Sequence, residues 1–120
     1  MASPLMHFEL IAKNPNQLTR FYTQLFGWRP EEYPDMSYTM LHADAQGAAS
    51  AAIGSSDTGL APGLTAYAQV DDVDTFLARA RELGAAEVLQ EPYDVPHVGR
   101  FAVFRDPEGN RIGLWQLAQR

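Results

Sequence analysis

The side chains best suited to chemistry are His7 and Glu9, two residues apart in the apolar-rich run 6–12, MHFELIA. In an extended segment alternate residues share a face, so His7, Glu9 and Ile11 point one way and Phe8, Leu10 and Ala12 the other. An imidazole beside a carboxylate is a general base or hydrogen-bond donor whose orientation the acid can fix. The same pair also occurs as a satisfied polar contact with no chemistry. Glu9 and His7 are therefore the candidate catalytic residues. A second polar face lies in 64–70, LTAYAQV, where Thr65, Tyr67 and Gln69 alternate and can read a ligand's oxygens through neutral hydrogen bonds. Near the end of the chain Gly113 and Trp115 share one strand face, an arrangement that leaves room for a planar ligand beside the indole. Arg100 enters the last hairpin, where it would either meet an anionic group or stand as a solvated surface charge.

Composition narrows what this constellation can be. The net charge of −6, with no basic cluster, argues against nucleic acid or an anionic membrane surface as partner. With no cysteine there are no disulfides and no thiolate metal sites, and the histidines number three: His7, His42 and His97. No apolar run has the length of a membrane span and no signal peptide is evident, so the expected location is the cytoplasm. A chain of 120 residues suffices for one domain with one core.

The elements that must position these residues follow a repeated order. Asn14-Pro15 is a helix start, and Leu18, Phe21, Tyr22, Leu25 and Phe26 form one apolar stripe that Gly27 closes. Short strands are predicted over 28–33, 38–42 and 48–54, the last weakly, because AASAAIG has little β-propensity. The segment 55–63, SSDTGLAPG, reads as a linker. The order then restarts: a strand over 64–70, a helix opened by Asp71-Asp72 and closed by Gly84, and strands over 87–93, 100–104 and 111–117. The last two flank the turn Asp106-Pro107-Glu108-Gly109-Asn110, the strongest local signal in the chain. The reading is a single α+β domain over 1–120 made of two βαβββ repeats, about 5–54 and 64–118. Together they would form a curved eight-stranded sheet, an open cup with the helices outside.

Four landmarks now carry a family resemblance: His7-Phe8-Glu9-Leu10, the helix end Phe21-Tyr22-x-x-Leu25-Phe26-Gly27-Trp28, Val70-Asp71-Asp72-Val73, and the Asp106–Asn110 turn. Together, over nearly the whole chain, they resemble the vicinal oxygen chelate superfamily of glyoxalase-type lyases, extradiol dioxygenases and fosfomycin- and bleomycin-resistance proteins. The resemblance implies a cup that holds a divalent ion in the metal-dependent members, with ligands from the first and fourth strand of each repeat. Carried onto this chain, those positions are His7, one residue near 49–52, Thr65, and Gly113, seven residues beyond Asp106. His7 alone matches. Three or four imidazole and carboxylate donors are what hold such an ion, so no metal and no other cofactor is expected, a divalent ion being the alternative.

The function this suggests is small-molecule binding without the family's metal site. An apolar or aromatic ligand would sit in the cup, in a pocket formed by His7, Glu9, Thr65, Tyr67, Gln69, Arg100, Gly113 and Trp115. The alternative implied by the resemblance is a metal-assisted glyoxalase-type lyase or isomerase with Glu9 or His7 as base. The family also implies a homodimer.

Overall fold

The computed structural model describes residues 2–118 and contains eight strands and two helices. They are β1 (Leu5–Ala12), α1 (Pro15–Phe26), β2 (Arg29–Tyr33), β3 (Tyr38–His42), β4 (Ser50–Ser55), β5 (Gly63–Gln69), α2 (Val73–Glu82), β6 (Glu87–Val95), β7 (Gly99–Arg105) and β8 (Arg111–Leu117). The predicted α+β class and the twice-repeated βαβββ order are both present. Most strand bounds differ from prediction by one or two residues, the usual uncertainty at element ends. The predicted linker is partly structured, since Ser55 closes β4 and its hydroxyl accepts from the Asp57 N–H at the head of a short 3-10 turn. The chain divides into two compact units: His7–Thr65, and the chain from Ala66 onward together with the N-terminal residues through Met6.

In the His7–Thr65 unit the strands lie in the order β2-β3-β4-β1, antiparallel except for the parallel β4–β1 pair. Pro30 is tolerated because β2 is an exposed edge strand. Helix α1 starts where the sequence says it must: Asn14 Oδ1 accepts from the Gln17 N–H, Pro15 takes the first position, and Gly27 ends it in the left-handed conformation at φ 71°. Its Leu18 and Tyr22 pack with Trp28 on Ala12, Leu41 and Ile53. The alanine-rich β4 forms despite its poor propensity because tertiary context outweighs it. It is paired on both sides, and Ala52 and Ile53 are wholly buried.

In the other unit the order is β5-β8-β7-β6, again with one parallel pair, β5–β8. Here Asp72 caps α2 by accepting from the Thr75 N–H. The Gln116 side chain of β8 accepts from the Val73 N–H, tying the helix start to the sheet. Val70, Val73, Leu77, Ala102 and Leu114 form the core of this unit. The β7–β8 turn is closed by its aspartate: Asp106 Oδ1 accepts from the N–H groups of Glu108 and Asn110, and Gly109 supplies φ 89°. Those donors, the Asn110 side chain first, hold the Asp106 carboxyl below the usual carboxylate range.

Candidate functional site

The parallel register of β1 on β4 aligns His7 with Ser50, Glu9 with Ala52 and Ile11 with Gly54. On the other side of β4, Tyr38 is aligned with Gly54. Small residues at 52 and 54 leave the space above the strand to larger neighbours. A Cβ on Gly54 would press on Ile11 Cδ1 at 3.1 Å and on the Tyr38 ring at 3.6 Å. His7 and Tyr38 meet across this strip. The His7 Nδ1 lies 2.6 Å from Ser50 Oγ and its Nε2 lies 2.9 Å from Tyr38 Oη. A neutral imidazole has one donor and one acceptor nitrogen, and a hydroxyl can complement either. The chain Tyr38–His7–Ser50 is thus satisfied in both tautomers. Burial lowers the His7 pKa below its ordinary 6.5, which favours the neutral ring.

The prediction that Glu9 orients the imidazole is corrected here. Both ring nitrogens face hydroxyls, and Glu9 occupies the next position on the same face, beside Ala52. The sequence does not single out Ser50, and it offers Tyr38 only as one of four aromatics, with Trp28, Tyr33 and Tyr93, that could line the cup or a dimer contact. The one available signal was that Ser50 is the only polar side chain in AASAAIG, inside the window where the family places a ligand. Tyr38 also borders a cavity of about 290 Å³ whose other walls include Asn16, Glu32, Thr39 and Ser55; His7 and Glu9 do not line it.

The remaining predicted pocket residues are engaged as follows. Thr65 is completely buried at the end of its unit. Tyr67 is aligned with Gly113 across the parallel β5–β8 pair, and an edge of its ring covers the glycine: a Cβ at Gly113 would fall within 2.8 Å of Tyr67 Cγ. The expected room for a planar ligand beside Gly113 is therefore filled by Tyr67 itself. Trp115 turns to cover Gly99, whose Cβ would stand 3.0 Å from the indole, so the pairing of Trp115 with an open glycine is also corrected. Gln69 is half-buried, and its N–H donates to the Pro4 carbonyl. Arg100 is not poised for an anion. Its guanidinium grips both Asp74 oxygens at 2.8 and 3.0 Å and reaches Asp94 at 3.0 Å, joining α2 to β6. Those hydrogen bonds, Asp74 first, raise its pKa further and lower that of Asp74. His42 bonds Glu31 at 2.8 Å on the neighbouring strand, and His97 is a turn residue at φ 65°.

The donor set fits a divalent ion poorly. Of the four positions implied by the resemblance, His7 is an imidazole with both nitrogens engaged, the window near 49–52 offers a serine hydroxyl, Thr65 is another hydroxyl, and Gly113 has no side chain. Among the described residues no three His, Asp or Glu side chains gather closely enough to hold a metal.

Two βαβββ units, each with its first and fourth strands paired in parallel, define the class of βαβββ-repeat proteins. Within that class residues 5–114 match the Glyoxalase/Bleomycin resistance protein/Dioxygenase superfamily, and the chain belongs to it. It is 31% identical over 103 residues to CFP32 of Mycobacterium bovis, a protein that carries the name glyoxylase, covering 81% of this chain and 39% of that one. It is 33% identical over 112 residues to the anthracycline biosynthesis protein DnrV of Streptomyces peucetius, covering 80% and 40%. The chain thus spans about two fifths of the length of these curated relatives. In fold it resembles the crystal structure of a superfamily member from Vibrio splendidus 12B01, with a TM-score of 0.66 at 18% identity, covering 96% of this chain and 99% of that one.

Proposed function

We propose that this chain binds a small molecule, apolar or aromatic with a polar edge, on the His7 face, and does so without a resident metal. The observation that carries the reading is the Tyr38–His7–Ser50 chain. Two hydroxyls orient the imidazole, and burial favours its neutral form, at the position where the family resemblance puts a ligand. Hydroxyl and imidazole groups of this kind suit carbonyl, hydroxyl or ether oxygens. The apolar part of the ligand would find the half-buried Met40 on the same face. The names glyoxylase and anthracycline biosynthesis protein, borne by two relatives, are in keeping with small oxygenated substrates of this kind.

A thermal-shift screen over thiols, flavins, polyketide-like aromatics and divalent metals tests it, since ligands that bind the native state raise its stability. An organic hit whose shift is lost in both His7→Ala and Tyr38→Phe supports the proposal; a stabilising effect confined to metals overturns it.

A second reading, proton transfer of the glyoxalase kind, is favoured by one feature. Glu9 stands one same-face position from His7, so that a carboxylate base lies beside the Tyr38–His7–Ser50 hydrogen-bonded chain. The metal-assisted form of that chemistry asks for donors that Ala52 and Gly113 cannot supply. Turnover of methylglyoxal with a thiol, abolished in Glu9→Gln, would establish this reading. Turnover that is absent, or unchanged by the substitution, removes it.

A further inference from the structure

We propose that the His7–Thr65 unit carries a second binding site, on the helix side of its sheet, for a small organic amine bearing hydroxyl groups. The site is the cavity of about 290 Å³ between the start of α1, the turn from β2 to β3 and the end of β4. Alternation separates it from His7. Tyr38 and Gly54 share the His7 face, so Thr39 and Ser55, one residue further on, leave their strands on the face where Leu41 and Ile53 pack with Leu18 and Tyr22 of α1. That face is apolar at its centre and turns to hydroxyls at this end. The walls are set before anything binds. Pro15 opens α1 and Pro34 opens the 3-10 turn over Pro34–Met36, each with its φ fixed by the ring. Ser37 ends that turn in the left-handed conformation, φ 49° and ψ 50°, and its N–H donates to the Pro34 carbonyl at 3.1 Å. Ser55 is buried at the floor, where its hydroxyl accepts from the Asp57 N–H. A ligand entering between such walls orders little of the protein on binding.

Chemistry selects the occupant. Of the described residues that line the cavity, Glu32 at the exposed rim is the one charged group, and none is Lys, Arg or His. Asp35 in the adjoining turn and the net charge of −6 deepen the negative field. The complement is a single positive charge, and an anion is repelled. A divalent ion is poorly served, because one carboxylate among hydroxyls and an amide falls short of the oxygen cage that hard cations take. The hydroxyls of Ser37, Thr39 and Ser55 and the Asn16 amide each donate and accept, which suits hydroxyl groups on the ligand. At about 290 Å³ the cavity lies at the small end of ligand pockets and has room for a single ring. An amino sugar or an amino alcohol has this chemistry. The proposal does not depend on what binds at His7.

Glucosamine is the probe, titrated into the full chain and followed by amide NMR. It should shift the signals of Asn16, residues 32–39 and Ser55 in a saturable way, while those of α2 stay in place. N-Acetylglucosamine, which keeps the hydroxyls and loses the ammonium, should bind at least about fivefold more weakly, and Glu32→Gln should weaken glucosamine by a similar factor, as expected for losing a charge-assisted hydrogen bond. Glu32 is exposed, so the substitution leaves the fold intact. His7→Ala should bind glucosamine as the wild type does. The absence of saturable shifts overturns the proposal. So does N-acetylglucosamine binding as tightly as glucosamine, an affinity indifferent to Glu32→Gln, or loss of binding in His7→Ala, which would put the amine on the His7 face instead.

Discussion

Gly113→Ala adds one methyl group where the family's metal-dependent members carry an acid, and the structure says how that methyl will be received. The new Cβ would lie 2.8 Å from Tyr67 Cγ and closer still to Cδ1 and Cε1. Carbon pairs are comfortable at about 3.5 Å, so the ring must retreat by roughly 0.7 Å at Cγ and by more at its near edge. Tyr67 is only 4% exposed, which leaves it no solvent to swing into. Overpacking of this kind costs about 1–3 kcal/mol. At roughly 4 °C per kcal/mol for a chain of this size, that lowers Tm by about 4–12 °C. Tyr67→Ala alone removes a buried ring and should cost about 3–5 kcal/mol. In the double variant the clash has no partner, so the double should be more stable than the sum of the singles predicts by about the same 1–3 kcal/mol. Urea denaturation of the four proteins reads this coupling directly. A Gly113→Ala chain as stable as wild type, or strictly additive losses, would refute the claim that Tyr67 fills this position.

Three further outcomes follow from the geometry. The folded-state pKa of His7 lies below 6.5, so the unfolded chain takes up the proton first: wild-type stability is fully present above about pH 6.5 and falls as pH drops through the window below it. His7→Gln should flatten that dependence in pH-dependent denaturation, and an identical slope in both proteins contradicts it. Arg100→Met should leave small-molecule binding unchanged and produce a small loss of stability that shrinks with added salt, because the guanidinium serves Asp74 and Asp94; loss of binding at unchanged stability would return Arg100 to the ligand site. The Asp106 carboxyl is held below its usual range, so the stability it contributes is present above about pH 4 and lost as pH falls through its folded-state value. Asp106→Ala should therefore destabilise the chain at neutral pH, with the gap to wild type closing in acid.

The parts of this protein that local chemistry determines were legible from residues alone. Asn14-Pro15 and Gly27 bound α1, Asp72 opens α2, and the Asp106–Asn110 turn closes the last hairpin, each through a cap or turn whose donors and acceptors lie within a few residues. His7 was legible as well, because alternation in β1 fixes its face. Its partners were not. Ser50 and Tyr38 lie 43 and 31 residues away, and which side chains meet depends on strand register that no local pattern encodes. Gly113 shows the same divide: the missing acid is visible in the sequence, whereas the ring over it appears only once Tyr67 is set opposite across β5 and β8. Arg100 looked available because Asp74 is 26 residues distant. Periodicity likewise marked the α1 stripe as apolar but could not say that half of it would face outward.

Titration of Zn²⁺, Ni²⁺ and Mn²⁺ into purified chain, wild type beside His7→Ala, measures the central claim most directly. If His7 is engaged by Ser50 and Tyr38 as part of a metal-free binding face, neither protein will take up an ion stoichiometrically, and elemental analysis of the wild type as purified will find less than one per chain. One tightly held ion per chain in the wild type, absent from His7→Ala, would contradict it.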